Sequence, residues 1–228
     1  MNEPDVLHLP IPFDAPAIDE LAKMKREGGS VDEIAKLLKV EEKDRALFDS
    51  FFTEEELPKY SKYDGPNVRM RYFGHACILV ETSEVSILVD PLISYYGYQS
   101  EVDHFSDIDL PDVIDYALIT HNHQDHILFE TLLPLRHKIK NIIVPRSTTG
   151  FLQDPNLRLV FENVGFKNII EVDDMEQVRI NNCTITGIPF TGEHSDLNIQ
   201  SKACYHIDVS GFKFFFAADS SIQERRLY

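Results

Sequence analysis

The hydrophobic period of the chain changes once, near residue 67, and that change limits the folds open to it. Before it the pattern is helical. "APAIDELAKMKREGG" ends in a glycine pair suited to a helix C-cap, and "SVDEIAKLLKV" opens with Ser30 and Glu33 at capping-box spacing. Val31, Ile34, Leu37 and Leu38 then share one helical face, and "KDRALFDSFF" adds a further helical piece before "LPKYSKYDGPN" breaks the pattern. After residue 67 the runs become short and rich in β-branched and aromatic residues. "VRMRYFG", "ACILVET", "VSILVD", "YALIT", "NIIVP", "NIIEV", "CTITGIPF", "ACYHIDV" and "KFFFAAD" all read as strands. Helical patterns lie between some of them, notably "ILFETLLPLRHKI" and "LRLVFENVG". Hairpin-like pairs interspersed with single helices predict an α/β layered domain with mixed sheets over residues 68–228. Residues 1–67 form a helical N-terminal extension.

Charge narrows the functions. Lysines and arginines number 22 against 38 acidic residues, a net charge of −16. So acidic a surface repels phosphate backbones, which disfavours nucleic acid as a partner. The same acidity argues against reading the two short helices around a glycine pair as a DNA-binding unit. They read as a packing appendage, or as the tail of a larger N-terminal module. The longest apolar runs, such as "VSILV" and "FFFAA", are strand-length and too short to cross a membrane. The start lacks a basic leader and an apolar signal core. Cys77, Cys183 and Cys204 each sit in an apolar β-like run and read as reduced core residues. A cytoplasmic protein acting on a small molecule is expected; oligomeric state stays open.

Chemistry concentrates in "LITHNHQDHILFETL", where His121, His123, Asp125 and His126 occupy one strand-to-helix turn. His121 and His123 lie two apart at a strand end and can project from one side. Imidazole and carboxylate suit Zn²⁺, Fe and Mn, and two metals can share such a turn.

This H-x-H-x-D-H pattern resembles the signature of the metallo-β-lactamase fold superfamily, and three further motifs agree in order. "YFGHACILVETSEVSILVDPLIS" is a strand pair ending in Asp90, "GIPFTGEHSDLNI" carries Glu193 and His194, and "GFKFFFAADSS" ends in Asp219. The resemblance implies a four-layered αββα sandwich with its site at the strand ends. It implies that His121, His123 and His194 bind a first metal, that Asp125 and His126 bind a second, and that Asp219 bridges them. Asp90 is implied to orient a ligand histidine from behind, the support such ligands need. His75, in the first hairpin, is read as another supporting residue.

Two departures stand out. Relatives supply a last histidine to the second metal well after the bridging aspartate, and here only nine residues follow Asp219. The sequence is therefore expected to be incomplete at its C-terminal end, with the second metal the weaker bound. The adjacent Glu193 also competes with His194 as third ligand. One branch of the superfamily places glutamate there; it resembles the diiron β-hydroxylase of chloramphenicol biosynthesis and carries an extra N-terminal domain. Three histidines suit zinc, whereas a His, Glu and Asp set suits iron with open positions for O₂.

His194 is the expected ligand, and metal-dependent hydrolysis the expected function. A metal-bound hydroxide would attack a polarised carbonyl or phosphoryl group, with Asp125 or Asp219 accepting the proton. The alternatives are a diiron oxygenase using the same ligands on a carrier-bound or free amino acid, and a metal-binding module without turnover.

Overall fold

The computed structural model describes residues 6–95, 102–147, 150, 152–180, 182–192 and 199–221. Among these, ten strands form two sheets. The first contains β1 (Arg69–Gly74), β2 (Cys77–Glu81), β3 (Ser86–Val89), β4 (Ile114–Leu118), β5 (Ile139–Pro145) and β6 (Ile169–Val172), side by side in chain order. Its first three strands pair antiparallel and the rest parallel. The second contains β7 (Gln177–Ile180), β8 (Cys183–Pro189), β9 (Ala203–Val209) and β10 (Phe212–Phe216), all antiparallel.

Strand composition follows position. β3 is buried at all four residues, as expected of a central strand covered on both faces. β9 alternates instead: Ala203, Tyr205, Ile207 and Val209 face the first sheet, while His206 and Asp208 are half-buried on the far side. The inter-sheet core joins these to Val80, Ile87, Val89, Leu118 and Ile143. The fully buried Tyr205 donates its phenol proton to the Ile119 carbonyl at 2.8 Å, tying one sheet to the other.

The other face of the first sheet is covered by α4 (Phe129–Leu135) and α5 (Leu157–Asn163), around Leu132, Leu135, Leu157 and Phe161. The described residues thus supply three layers, α, β and β, of the mixed α/β sandwich.

The N-terminal helices α1 (Pro16–Glu27), α2 (Val31–Leu37) and α3 (Arg45–Asp49) enclose their own small core of Ala17, Ile34, Ala35, Leu38 and Phe48. Gly28 closes α1 at a φ of 70° and donates to the Met24 carbonyl; Ser30 accepts from the Glu33 amide. α1 rests against α4, where buried Arg136 donates to the carbonyls of Phe13, Ala15 and Val164 and pairs with Asp19 at 2.9 Å. All three cysteines are free and buried, and burial pushes the thiols of Cys77 and Cys183 up to about 12 and about 11. No helix among the described residues is long and apolar enough to cross a membrane.

Candidate metal centre

Parallel pairing of β3 with β4 sets Val89 beside Leu118, so the chain leaves both strands at one edge. Asp90 and Thr120 therefore emerge next to each other. Asp90 is fully buried and adopts a φ of 40°, a conformation costly for a residue that precedes proline. Its Oδ1 accepts from the Thr120 amide at 2.8 Å. Its Oδ2 accepts from the Thr120 hydroxyl at 2.7 Å and from His126 Nδ1 at 2.9 Å.

These bonds fix proton positions by chemistry. A carboxylate only accepts, so the Thr120 proton and the His126 Nδ1 proton both point at Asp90. The Thr120 oxygen, its own proton committed, accepts from His121 Nδ1 at 3.0 Å. Both rings consequently turn Nε2, with its lone pair, towards the same space. One buried carboxylate sets two tautomers.

The turn itself is closed by the His123 carbonyl, which accepts from the amides of His126 and Ile127. It brings His121 Nε2 within 3.0 Å of His123 Nδ1. Asp219 arrives from the second sheet, three residues beyond β10, after Ala218 at a φ of 46°. Its Oδ2 lies 3.6 Å from His121 Nε2 and 3.4 Å from His126 Nε2. His126 Nε2 is buried with no hydrogen-bond partner among the described residues. Burial pulls the His126 ring down, but the hydrogen bond and charge of Asp90, with Asp219 and Asp125, outweigh it and raise its pKa.

Two groups of three donors result, His121, His123 and Asp219 in one and His75, Asp125 and His126 in the other. Ligand atoms about 2.1 Å from a common ion stand about 3.0–3.4 Å apart at octahedral or tetrahedral angles. The contacts from 3.0 to 3.6 Å fit that spacing, and Asp219 touches both groups as a bridging carboxylate must. Nitrogen and carboxylate donors of this kind suit zinc, iron or manganese.

The structure brings His121, His123, Asp125, His126 and Asp219 together, and sets Asp90 against His126. His75 stands beside them, with Nε2 3.1 Å from Asp125 Oδ2. Glu193, His194, Ser195, Tyr96 and Tyr98 lie outside the described residues. Lys202 forms an isolated bridge with His121 and donates to the Gly192 carbonyl at 2.8 Å. His137 is half-buried and lines a cavity of about 660 Å³ beside α1.

Residues 86–227 match the family described as "Beta-lactamase superfamily domain", and residues 1–56 match "Diiron non-heme beta-hydroxylase N-terminal domain". The 4-amino-L-phenylalanyl-(CmlP-peptidyl-carrier-protein) 3-hydroxylase of Streptomyces venezuelae is 37% identical over 224 residues, covering 96% of this chain and 42% of its own. The crystal structure of CmlA, a diiron β-hydroxylase from Streptomyces venezuelae, superposes with a TM-score of 0.80 at 37% identity, over 93% of this chain and 39% of that one. The chain thus spans about two fifths of the length of these relatives. Igni18, a metallo hydrolase from Ignicoccus hospitalis, shares the fold alone: TM-score 0.50, 21% identity, 68% of this chain and 62% of that one.

These findings correct the expectation of a hydrolase. A match along nearly the whole chain, N-terminal helices included, is to a hydroxylase. A curated metal-dependent hydrolase, from Rhizobium johnstonii, aligns over 26% of this chain. The physical reason for the error is that one donor set serves both chemistries. The proton-accepting role expected of Asp125 and Asp219 in hydrolysis falls with it.

Proposed function

This chain belongs to the β-lactamase superfamily and carries a diiron β-hydroxylase N-terminal domain, and from that premise we propose that it is the metal-binding part of a diiron oxygenase. The observation that carries this reading is the joining, in one chain, of that N-terminal domain to a centre with donors for two metals. The proposed reaction is hydroxylation at the β-carbon of an amino acid, with the substrate presented by a carrier protein as in the Streptomyces relative.

Two iron ions, when bound, would supply the means to activate O₂, one oxygen atom entering a C–H bond and the other leaving as water with two electrons from an external reductant and two protons from solvent. The protein's part is binding and orientation. His121 and His123 are assigned to the first iron and His126 and Asp125 to the second, with Asp219 shared. Asp90 holds His126 directly and His121 through Thr120, so that both present Nε2. Glu193 is assigned as the further donor to the first iron in place of His194, because a carboxylate makes the set harder and more anionic, as iron prefers. Residues 1–67 are assigned as a separate N-terminal domain and residues 68–228 as the metal domain.

Metal analysis of protein purified anaerobically without added metal tests the reading. Two irons per chain and an absorption spectrum that changes on admitting O₂ are expected. Zinc at full occupancy, with no O₂-dependent change after iron loading, overturns it.

A further inference from the structure

We infer that the cavity between α1 and α4 is a binding site for a small organic carboxylate, whose acidic head meets Lys138 and whose apolar body lies against Leu21, Ile93 and Leu135. This goes beyond the oxygenase reading and does not depend on it.

The first observation is an unmatched charge. Lys138 is only 9% exposed, and its amine makes no hydrogen bond or ion pair among the described residues. Arg26, Asp112, Asp107 and Lys25 act on it through space. The two acids are engaged elsewhere: Asp107 pairs with Lys25, and Asp112 lies 3.6 Å from Arg26. A cation buried without a partner is costly, and such groups gather at binding sites. His137 repeats the pattern. Its Nδ1 is buried with no hydrogen-bond partner among the described residues. Burial and the Lys138 charge lower its pKa against the smaller opposing effects of Asp19 and the Pro134 carbonyl, so the ring is neutral at pH 7.

The second observation is room beside these groups. Lys138 and His137 line the same cavity of about 660 Å³, within the roughly 300–1,000 Å³ of small-molecule sites. Ile93 and Leu135 are buried in its wall and Leu21 half-buried, so apolar surface surrounds the few polar groups. Arg26, held by the carbonyls of Ile108 and Leu110, adds a second positive charge near Lys138. Two cations on apolar walls select an anion with an apolar body. The two oxygens of a carboxylate can accept from the Lys138 ammonium and from His137 when its ring carries the proton on Nδ1.

Position gives occupancy a consequence. α1 belongs to the N-terminal helices and α4 follows the histidine turn, so a ligand touching both would tie one to the other.

Calorimetric titration of the full-length protein with phenylacetate tests the site, with acetate as the head alone and 2-phenylethanol as the body alone. Phenylacetate should bind at least about tenfold more tightly than either part. Lys138→Met should weaken it roughly 10- to 100-fold, the loss of a hydrogen bond to a charged group. His137→Phe should weaken it less, and Lys138→Arg should retain most of the binding. Thermal melts check folding; Lys138→Met removes a buried charge and should melt no earlier than the unmodified protein, so lost binding cannot be ascribed to unfolding. No binding of phenylacetate overturns the inference, and is the result expected if another part of the full-length protein supplies the partner of Lys138. Equal binding of the three probes, or binding that Lys138→Met leaves unchanged, as coordination at the metals would give, overturns it too.

Discussion

Asp90 and His126, both fully buried, meet at 2.9 Å through the imidazole Nδ1, and the same carboxylate oxygen takes the Thr120 hydroxyl at 2.7 Å. Removing this carboxylate leaves several buried donors without an acceptor, at about 1–3 kcal/mol each. Asp90→Ala is therefore expected to lower unfolding free energy by about 3 kcal/mol or more in urea titrations. The remaining folded protein should bind iron about 10- to 100-fold more weakly. Unchanged stability with unchanged metal content would show that the tautomers are set elsewhere.

Asp219 touches a histidine of each donor group. Asp219→Ala is expected to reduce both metal-binding events, whereas the double change His121→Ala, His123→Ala should abolish the first and spare most of the second. Calorimetric titration separates the two patterns. Loss of a single event in Asp219→Ala would assign this residue to one metal only.

For the third motif, iron retained after gel filtration should fall sharply in Glu193→Ala and little in His194→Ala. The opposite ranking would favour a histidine-rich set and count against the oxygenase.

Lys138 lines the cavity beside α1, and burial pushes its pKa down to about 8, with nearby Arg26 adding to the effect. An unfolded lysine titrates near 10.4. The folded state therefore binds fewer protons than the unfolded one between these values, and stability from this group rises as pH climbs from about 8 to about 10.4. The buried cysteines act in the opposite sense, because their thiols ionise more readily once unfolded. The comparison must therefore be between variants. Lys138→Met should be more stable than the unmodified chain at pH 7, by on the order of 1 kcal/mol, and the gap should close by pH 10. A gap independent of pH would mean that packing alone is responsible.

Much of the sandwich was legible because its strands are short, apolar and punctuated by turns. β7 escaped. Gln177, Val178, Arg179 and Ile180 form four residues at a sheet edge, half polar, with too little burial to leave an apolar run. The adjacent Asn181-Asn182 before "CTITGIPF" was the available signal, since a two-residue Asn pair suits a hairpin turn. At the centre, the histidine turn and Asp219 were readable as motifs. The reach of His75 was not, because it depends on strand pairing and a bulge, which place the first hairpin over the third strand's end. The choice between hydrolysis and oxygen chemistry lay beyond the donor pattern altogether.

The donor sets draw on both sheets: the histidine turn hangs from the six-stranded one, and Asp219 follows the last strand of the four-stranded one. Metal bound between them would act as a rivet through the two halves of the sandwich. Its binding energy would then be spent partly on closing the inter-sheet core around Tyr205 and Leu118. Substitutions deep in that core, far from any donor atom, should consequently register as changes in metal affinity. Metal occupancy becomes a strain gauge for how well the two sheets fit.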